Sequence, residues 1–142
     1  GSEMCIRDSF PDNVKWTDEG DVALLYDFEP ASDGVLVYDL AVMLNAWCWL
    51  EGRFDDAKMR GFMRGYEETR PLTLAERAAI YGEARQSALR FMVTRIKDFH
   101  LRPLPPGQRV EKDFRDYQRR LEVLRALGPT RFEGVLFGAG TR

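Results

Sequence analysis

The chain has 142 residues, a length typical of one globular domain with a hydrophobic core. Its composition is ordinary for such a domain, and its net charge of −2 gives no basic surface of the kind that binds nucleic acid or anionic lipid. No apolar run approaches the roughly 20 residues that a membrane-spanning helix needs, so a membrane role is disfavoured too.

The N-terminal residues and the cysteines indicate the origin of the chain and its compartment. Gly1-Ser2 is typical of a scar left by tag removal, and the following MCIRDS resembles translated adapter sequence from environmental assemblies. Residues 1–9 are therefore predicted to be non-native, with the natural gene extending upstream.

Cys5 and Cys48 form neither a zinc ligand set nor a disulfide framework, so the simplest location is a reducing cytoplasm, with Cys48 an inert buried thiol.

The hydrophobic pattern predicts a mainly α fold with a small β-hairpin at its N-terminal end. In residues 14–27, two short apolar stretches flank a polar turn with Gly20, which is typical of a hairpin, and residues 29–34 have the composition of a loop. Helices are expected at about 35–50, 55–69, 74–99 and 111–127. The domain would then occupy residues 10–128, followed by a loose tail over 129–142.

Local signals support these helix ends. Gly52 and Pro71 end the first and second helices. Thr73 and Glu76 form a T-x-x-E capping box that opens the longest helix, whose inner stripe would run from Tyr81 to Phe99. Gly128 with Pro129 is expected to stop the last helix.

The polar residues around the hairpin suggest a magnesium-phosphate site. Asp8 and Asn13 have the D-x-x-x-x-N spacing of a phosphotransfer loop, in which the Asp accepts a hydroxyl proton and the Asn binds magnesium. Asp27, followed by Phe28 at the exit of the hairpin, would supply a second oxygen ligand. Two structural alternatives remain: Asn13 could close an Asx turn, and Asp27 could simply end a strand.

Several blocks of sequence together resemble a known family. YDFEPASDGVLVYDLA, over residues 26–41, is similar to the signature of the aminoglycoside phosphotransferase and choline kinase superfamily. FPDNV, YDLAVMLNAWCW, RPLTLAERAA and ALRFMVTRIKDFH resemble, in that order, the C-terminal half of its bacterial homoserine kinases. The resemblance covers about residues 10–120 and implies the helical C-terminal lobe of a protein-kinase-like phosphotransferase.

That resemblance implies roles for four residues. Asp8 takes the position of the catalytic base, Asn13 and Asp27 those of the magnesium ligands, and Asp39 that of a structural residue bracing the catalytic loop. The family reaction transfers the γ-phosphoryl group of Mg-ATP to the hydroxyl of L-homoserine, a step of threonine synthesis. The family loop has His two residues before the catalytic Asp, where this chain has Ile6.

The sequence also contains neither of the two glycine-rich phosphate-binding motifs, G-x-G-x-x-G and G-x-x-x-x-G-K-[ST]. We therefore expect a truncated lobe with little activity alone, because the lobe that holds the nucleotide is missing. Its exposed interlobe face would favour a homo-oligomer or a domain-swapped assembly. A different hydroxyl acceptor, such as choline or an aminoglycoside, and a non-catalytic helical interaction module are the alternatives.

Other side chains have an interpretation in packing and a competing one in function. Arg90 or Arg95 could bind a substrate carboxylate, although solvated or core-edge arginines are commoner. Trp47 and Trp49 are interpreted as core residues, and His100 is interpreted as making a favourable contact with a helix dipole rather than a catalytic one. Tyr117 and Phe114 are interpreted as anchors between helices.

Overall fold

The computed structural model describes residues 3–5, 10–26, 32–101 and 112–138. Within these ranges the fold is mainly helical, which confirms the predicted class. The helices are α1 (Leu36–Trp47), α2 (Asp56–Thr69), α3 (Leu74–Arg95), a π-helical extension (Ile96–Leu101) and α4 (Arg115–Phe137). The strands are β1 (Glu3–Cys5), β2 (Val14–Trp16), β3 (Val22–Leu25), β4 (Ser32–Gly34), β5 (Trp49–Leu50) and β6 (Arg53–Phe54).

The predicted hairpin is present as the antiparallel pair β2–β3. Its turn begins and ends at Thr17 and Asp21, where the Thr17 amide donates to the Asp21 carbonyl at 2.8 Å. Gly20 has a φ of 91°, a conformation that a residue with a β-carbon rarely adopts. The turn residues that predicted this hairpin therefore form it.

A second strand pair differs from the prediction. Residues 29–34 were expected to form a loop, but Ser32–Gly34 forms β4 and pairs antiparallel with β1. This pairing uses backbone groups and requires no apolar alternation, which is why side-chain composition did not indicate it. The origin of residues 1–9 stays a prediction.

Helix α1 lies at the centre of the core. Val37, Leu40, Ala41 and Leu44 are buried, and the helix packs mainly against α3. It ends earlier than residue 50, because Trp49–Leu50 pairs with Arg53–Phe54 in a short hairpin. Glu51 and Gly52 both have positive φ, as a two-residue type I′ turn requires.

The N-termini of α2 and α3 are both capped. The side chain of Asp55 accepts hydrogen bonds from the first-turn amides of α2, at 2.9 Å each. The predicted capping box of α3 is confirmed: Thr73 Oγ1 accepts from the Glu76 amide, and Glu76 Oε2 accepts from the Thr73 amide at 2.8 Å. These bonds satisfy amides that lack partners within the helix.

Helix α4 corrects the prediction of a loose tail. The helix was expected to stop at Gly128-Pro129, but helical structure resumes and continues to Phe137. Gly128 alone is non-helical, with φ 71° and ψ 167°, and Pro129 then occupies the first position of the resumed helix, where its missing N–H costs nothing. Phe132 and Leu136 are buried, so residues 129–137 belong to the core.

One cluster of buried side chains joins the four helices, and Phe54 of β6 lies within it. The ring of Phe132 contacts those of Phe54 and Tyr81, with centroids 6.4 and 5.7 Å apart. None of the helices in the described ranges has the length and apolarity to cross a membrane.

Candidate functional site

Asn13 is held at the open end of the β2–β3 hairpin. Pro11–Asn13 forms a single 3-10 turn, closed by a hydrogen bond from the Asn13 amide to the Phe10 carbonyl at 2.9 Å. The Asn13 carbonyl then accepts from the Tyr26 amide at 3.1 Å, and the Tyr26 hydroxyl donates to the Asp12 carbonyl. Asn13 is thereby fixed beside the residue that directly precedes Asp27 in the chain.

The other two predicted ligand and base positions, Asp8 and Asp27, lie outside the described residues. The described part of the chain contains no group of three or more His, Cys, Asp or Glu side chains that could hold a metal. As a donor set, the side-chain amide of Asn13 and the carboxylate of Asp27 offer hard oxygen atoms. That chemistry fits magnesium, which takes one or two carboxylates together with phosphate oxygens.

Asp39 lies in the first turn of α1 and is half-buried. A carboxylate at this position interacts favourably with the positive end of the helix dipole. Helix α1 begins two residues after β4, so Asp39 is carried on the rigid central helix rather than on a loop. Its predicted role in bracing the catalytic loop stays a prediction.

Phe10 attaches the segment that precedes Asn13 to helix α3. Its ring meets that of Phe91 edge to face, with centroids 5.0 Å apart. Asp12 also approaches Lys112 at 3.8 Å, but both side chains are well exposed, so this ion pair contributes little. The aromatic contact, rather than this ion pair, therefore attaches the segment to α3.

The two candidate arginines of α3 have different environments. The guanidinium of Arg90 is exposed, and its Nη1 donates to the Tyr38 hydroxyl at 3.0 Å. Nη1 of Arg95 instead donates to the Asp113 carbonyl at 2.7 Å, and its guanidinium lies 4.5 Å from the ring centroid of Tyr117. Arg95 thus ties α3 to the start of α4.

A groove of about 630 Å³ runs along the exposed side of α3 from Gly82 to Thr94 and is closed on one side by Leu121 and Arg125 of α4. Its volume is within the range of small-molecule sites, roughly 300–1,000 Å³. Three arginines line it, Arg85, Arg90 and Arg125, and no Asp or Glu does among the residues that the structure describes.

The remaining candidates have structural roles. Trp47 and Trp49 pack against the core, as predicted, and burial raises the pKa of the Cys48 thiol to about 11, which leaves it protonated and unreactive. His100 lies in the last turn of the π-helical extension, with its ring centroid 4.9 Å from that of Phe114.

Sequence analysis missed Asn45, Arg120 and Tyr38. Asn45 is fully buried, and a lone amide in an apolar helix is a signal that could have revealed it. Arg120 donates from Nε to the Asn45 carbonyl at 2.9 Å and lies over the rings of Trp49 and Tyr117. Burial lowers the pKa of its guanidinium, and nothing in the local sequence distinguishes it from an exposed arginine.

Comparison with known proteins shows which class of protein this chain resembles. A family model described as the phosphotransferase enzyme family matches residues 4–72. This segment contains the β2–β3 hairpin, the predicted ligand positions and the central helix. The match confirms the resemblance to a phosphotransferase family that the motifs indicated.

Individual relatives narrow the relationship. The chain is 44% identical to homoserine kinase of Caulobacter sp. (strain K31), over 98% of this chain and 42% of the relative. It is 45% identical to homoserine kinase of Phenylobacterium zucineum, over 93% and 39%, and 45% identical to that of Rhodospirillum rubrum, over 86% and 38%. The chain is thus related to bacterial homoserine kinases, and it spans about two fifths of the length of the relatives it matches.

Proposed function

We propose that this chain forms the C-terminal lobe of an ATP-dependent phosphotransferase that acts on the hydroxyl of L-homoserine in the cytoplasm. The observation that carries the proposal is the backbone hydrogen bond from the Tyr26 amide to the Asn13 carbonyl. Because Tyr26 directly precedes Asp27 in the chain, this bond keeps Asn13, the first proposed ligand, close to the chain position of the second. The homoserine kinases among its relatives support the choice of acceptor.

The proposed chemistry assigns one role to each polar residue. Asp8 accepts the proton of the homoserine hydroxyl while the hydroxyl oxygen bonds to the γ-phosphorus of ATP. The bond between the γ-phosphorus and the bridging oxygen breaks, and ADP leaves with that oxygen. Asn13 and Asp27 hold magnesium by oxygen atoms. When bound, the ion neutralises charge that develops on the phosphate oxygens. Asp39 supports the catalytic loop from α1.

Binding of the nucleotide is proposed to depend on a second lobe. The sequence has no glycine-rich phosphate-binding motif, and phosphoryl transfer depends mainly on positioning and on electrostatic stabilisation of the phosphates. We therefore expect the chain alone to have little or no activity.

The β2–β3 hairpin favours a second candidate, a module that associates with itself. All four residues of β3 are exposed, among them Val22, Leu24 and Leu25. Exposed apolar surface of this kind marks interaction sites. Association through the hairpin would be compatible with either function.

The proposal is tested by ADP release with Mg-ATP and a panel of acceptors: L-homoserine, choline and an aminoglycoside. Two proteins are compared, the chain itself and the chain fused to a homoserine kinase N-terminal lobe with Ile6→His. We expect turnover on homoserine by the fusion only, lost in Asp27→Ala and kept in the control Asp18→Ala, which alters an exposed turn of the same hairpin.

The other outcomes separate the alternatives. Turnover on choline or an aminoglycoside in place of homoserine would keep the phosphotransferase and replace its acceptor. A folded fusion that phosphorylates none of the acceptors would reject the catalytic proposal and leave the interaction module.

A further inference from the structure

Arg90 is the one of the two candidate arginines whose guanidinium is available to a ligand. The side chain of Arg95 is only 17% exposed, and its contacts with Asp113 and Tyr117 already use its polar edge and its face. Arg90 is exposed and, among the residues that the structure describes, donates one hydrogen bond, to a tyrosine hydroxyl. A guanidinium has five N–H donors, so most of those of Arg90 remain available for a ligand.

The orientation of Arg90 is supported by aromatic rings. Its Cζ lies 5.9 Å from the ring centroid of Tyr38 and 5.4 Å from that of Phe91. Together with the hydrogen bond to Tyr38, these contacts restrict the rotamers of a long side chain before any ligand binds. A planar, preorganised guanidinium matches the two oxygens of a carboxylate, which a point charge does not.

The position of Arg90 relates it to the proposed site. Tyr38 directly precedes Asp39, and Phe91 contacts Phe10, which lies between Asp8 and Asn13 in the sequence. Both neighbours of Arg90 are therefore attached to segments that carry predicted site residues. The groove that Arg90 lines adds Arg85 and Arg125 and no carboxylate from the described residues, so its potential favours an anion.

We propose that Arg90 binds the carboxylate of the acceptor and so selects a short hydroxy acid over a neutral alcohol. This inference rests on the proposed function for the identity of the acceptor. Arg90 would be a substrate-binding residue, with Tyr38 holding its guanidinium in place.

Calorimetry of ligand binding to the full chain tests this inference. The two ligands are L-homoserine and its carboxamide, in which a neutral amide group replaces the carboxylate. We expect the carboxamide to bind the wild type about 10- to 100-fold more weakly, since a hydrogen bond to a charged group is lost. Arg90→Ala should weaken homoserine by a similar factor and leave the carboxamide unchanged, while Arg90→Lys recovers only part of the loss.

Two controls separate this role from a general effect. Arg64→Ala removes an exposed charge of α2, outside the groove, and should change homoserine binding by less than about 3-fold, as a screened exposed charge does. Far-UV circular dichroism checks that each variant is folded. Failure of the wild type to prefer homoserine over its carboxamide, or an equal loss of both ligands in Arg90→Ala, would overturn the inference.

The inference and the proposed function can fail separately. If the fusion protein phosphorylates homoserine and its carboxamide with the same KM, the phosphotransferase stands and the role of Arg90 is wrong. If homoserine binds through Arg90 but no protein releases ADP, the role of Arg90 stands and the phosphotransferase is wrong.

Discussion

Asn45 shows how one buried polar residue joins the two central helices. Its Nδ2 donates to the Ala84 carbonyl at 2.8 Å and to Ser87 Oγ at 2.7 Å, both on α3, and to the Ala41 carbonyl at 3.2 Å. Its Oδ1 has no donor among the described residues. The residue therefore acts through its N–H groups, which no apolar residue could replace.

Replacement of Asn45 should destabilise the fold, and the loss should be larger when the new side chain carries a charge. Asn45→Ala removes the donors that reach α3 and should cost about 2 kcal/mol of unfolding free energy. Asn45→Asp adds a buried carboxylate that faces carbonyl oxygens, and should cost about 4 kcal/mol at neutral pH. Urea unfolding followed by tryptophan fluorescence measures both.

The pH dependence of Asn45→Asp follows from the same contacts. Burial would raise the pKa of the new carboxyl above its unfolded value of about 3.9. The penalty should then be smallest below about pH 3, where the group is protonated in both states, and should grow as pH rises through the unfolded pKa. Ser87→Ala is the control, with a small loss that does not vary with pH. A pH-independent loss in Asn45→Asp would contradict the burial of this side chain.

At the scale of single residues, the sequence predicted what a side chain can bind better than it predicted which contacts that side chain makes in the fold. The composition of α3 makes Arg90 and Arg95 equivalent candidates. They differ because α4 folds over Arg95 and buries it against Tyr117, a contact between residues far apart in the chain. Asn13 could be assigned to the hairpin because its neighbours in the sequence form that hairpin.

At the scale of elements, the capping box predicted a helix start correctly, whereas Gly128-Pro129 predicted a helix end wrongly. The capping box of Thr73 and Glu76 lies within four residues, and α3 begins where it predicts. The second half of α4 was missed because Gly128-Pro129 usually ends a helix. The helix continues because Phe132 is buried against β6 and α3. These contacts join residues far apart in the chain, so a local sequence pattern could not predict them.

The start of α3 should make stability depend on pH. The hydrogen bond from Arg70 and the bond from the Thr73 amide lower the pKa of Glu76 to about 2. Its unfolded pKa is about 4.3, so the stabilisation is complete above about pH 5 and is lost as pH falls toward 2. Glu76→Gln should cost about 1 kcal/mol at pH 7, and this difference from the wild type should shrink as pH falls.

The measurement is urea unfolding of wild type and variant at a series of pH values. Glu68→Gln, an exposed position of α2, is the matched control and should leave the pH dependence of the wild type unchanged. A difference between Glu76→Gln and the wild type that stays constant down to pH 3 would show that the charge of Glu76 does not stabilise this helix start.

At the scale of the whole molecule, the β2–β3 hairpin has few buried side chains. Both of its faces are exposed over much of their length, and a two-stranded sheet alone is marginal in water. Its main aromatic attachment is the contact between Trp16 and Trp47, with centroids 6.1 Å apart. The helices, by contrast, share one continuous core. Covering the hairpin would stabilise it by removing apolar surface from water.

We therefore expect the isolated chain to associate through this hairpin. Trp16 and Leu24 are 54% and 51% exposed, and the apolar surface of the hairpin is continued by Val22 and Leu25. Leu24→Lys places a charge in that surface, where burial in an interface is costly. Light scattering at increasing protein concentration should show the wild-type mass rising above the 16.4 kDa of one chain, and that of Leu24→Lys staying close to it.

Leu74→Lys is the control that distinguishes loss of the hairpin surface from a general effect of added charge. Leu74 is 79% exposed at the start of α3, so Leu74→Lys adds the same charge outside the hairpin and should still associate. If both variants remain monomeric, net charge rather than the hairpin governs association. If the wild type itself stays at 16.4 kDa, the exposed hairpin of one chain does not bind another, and the surface is left for a partner such as the proposed nucleotide-binding lobe.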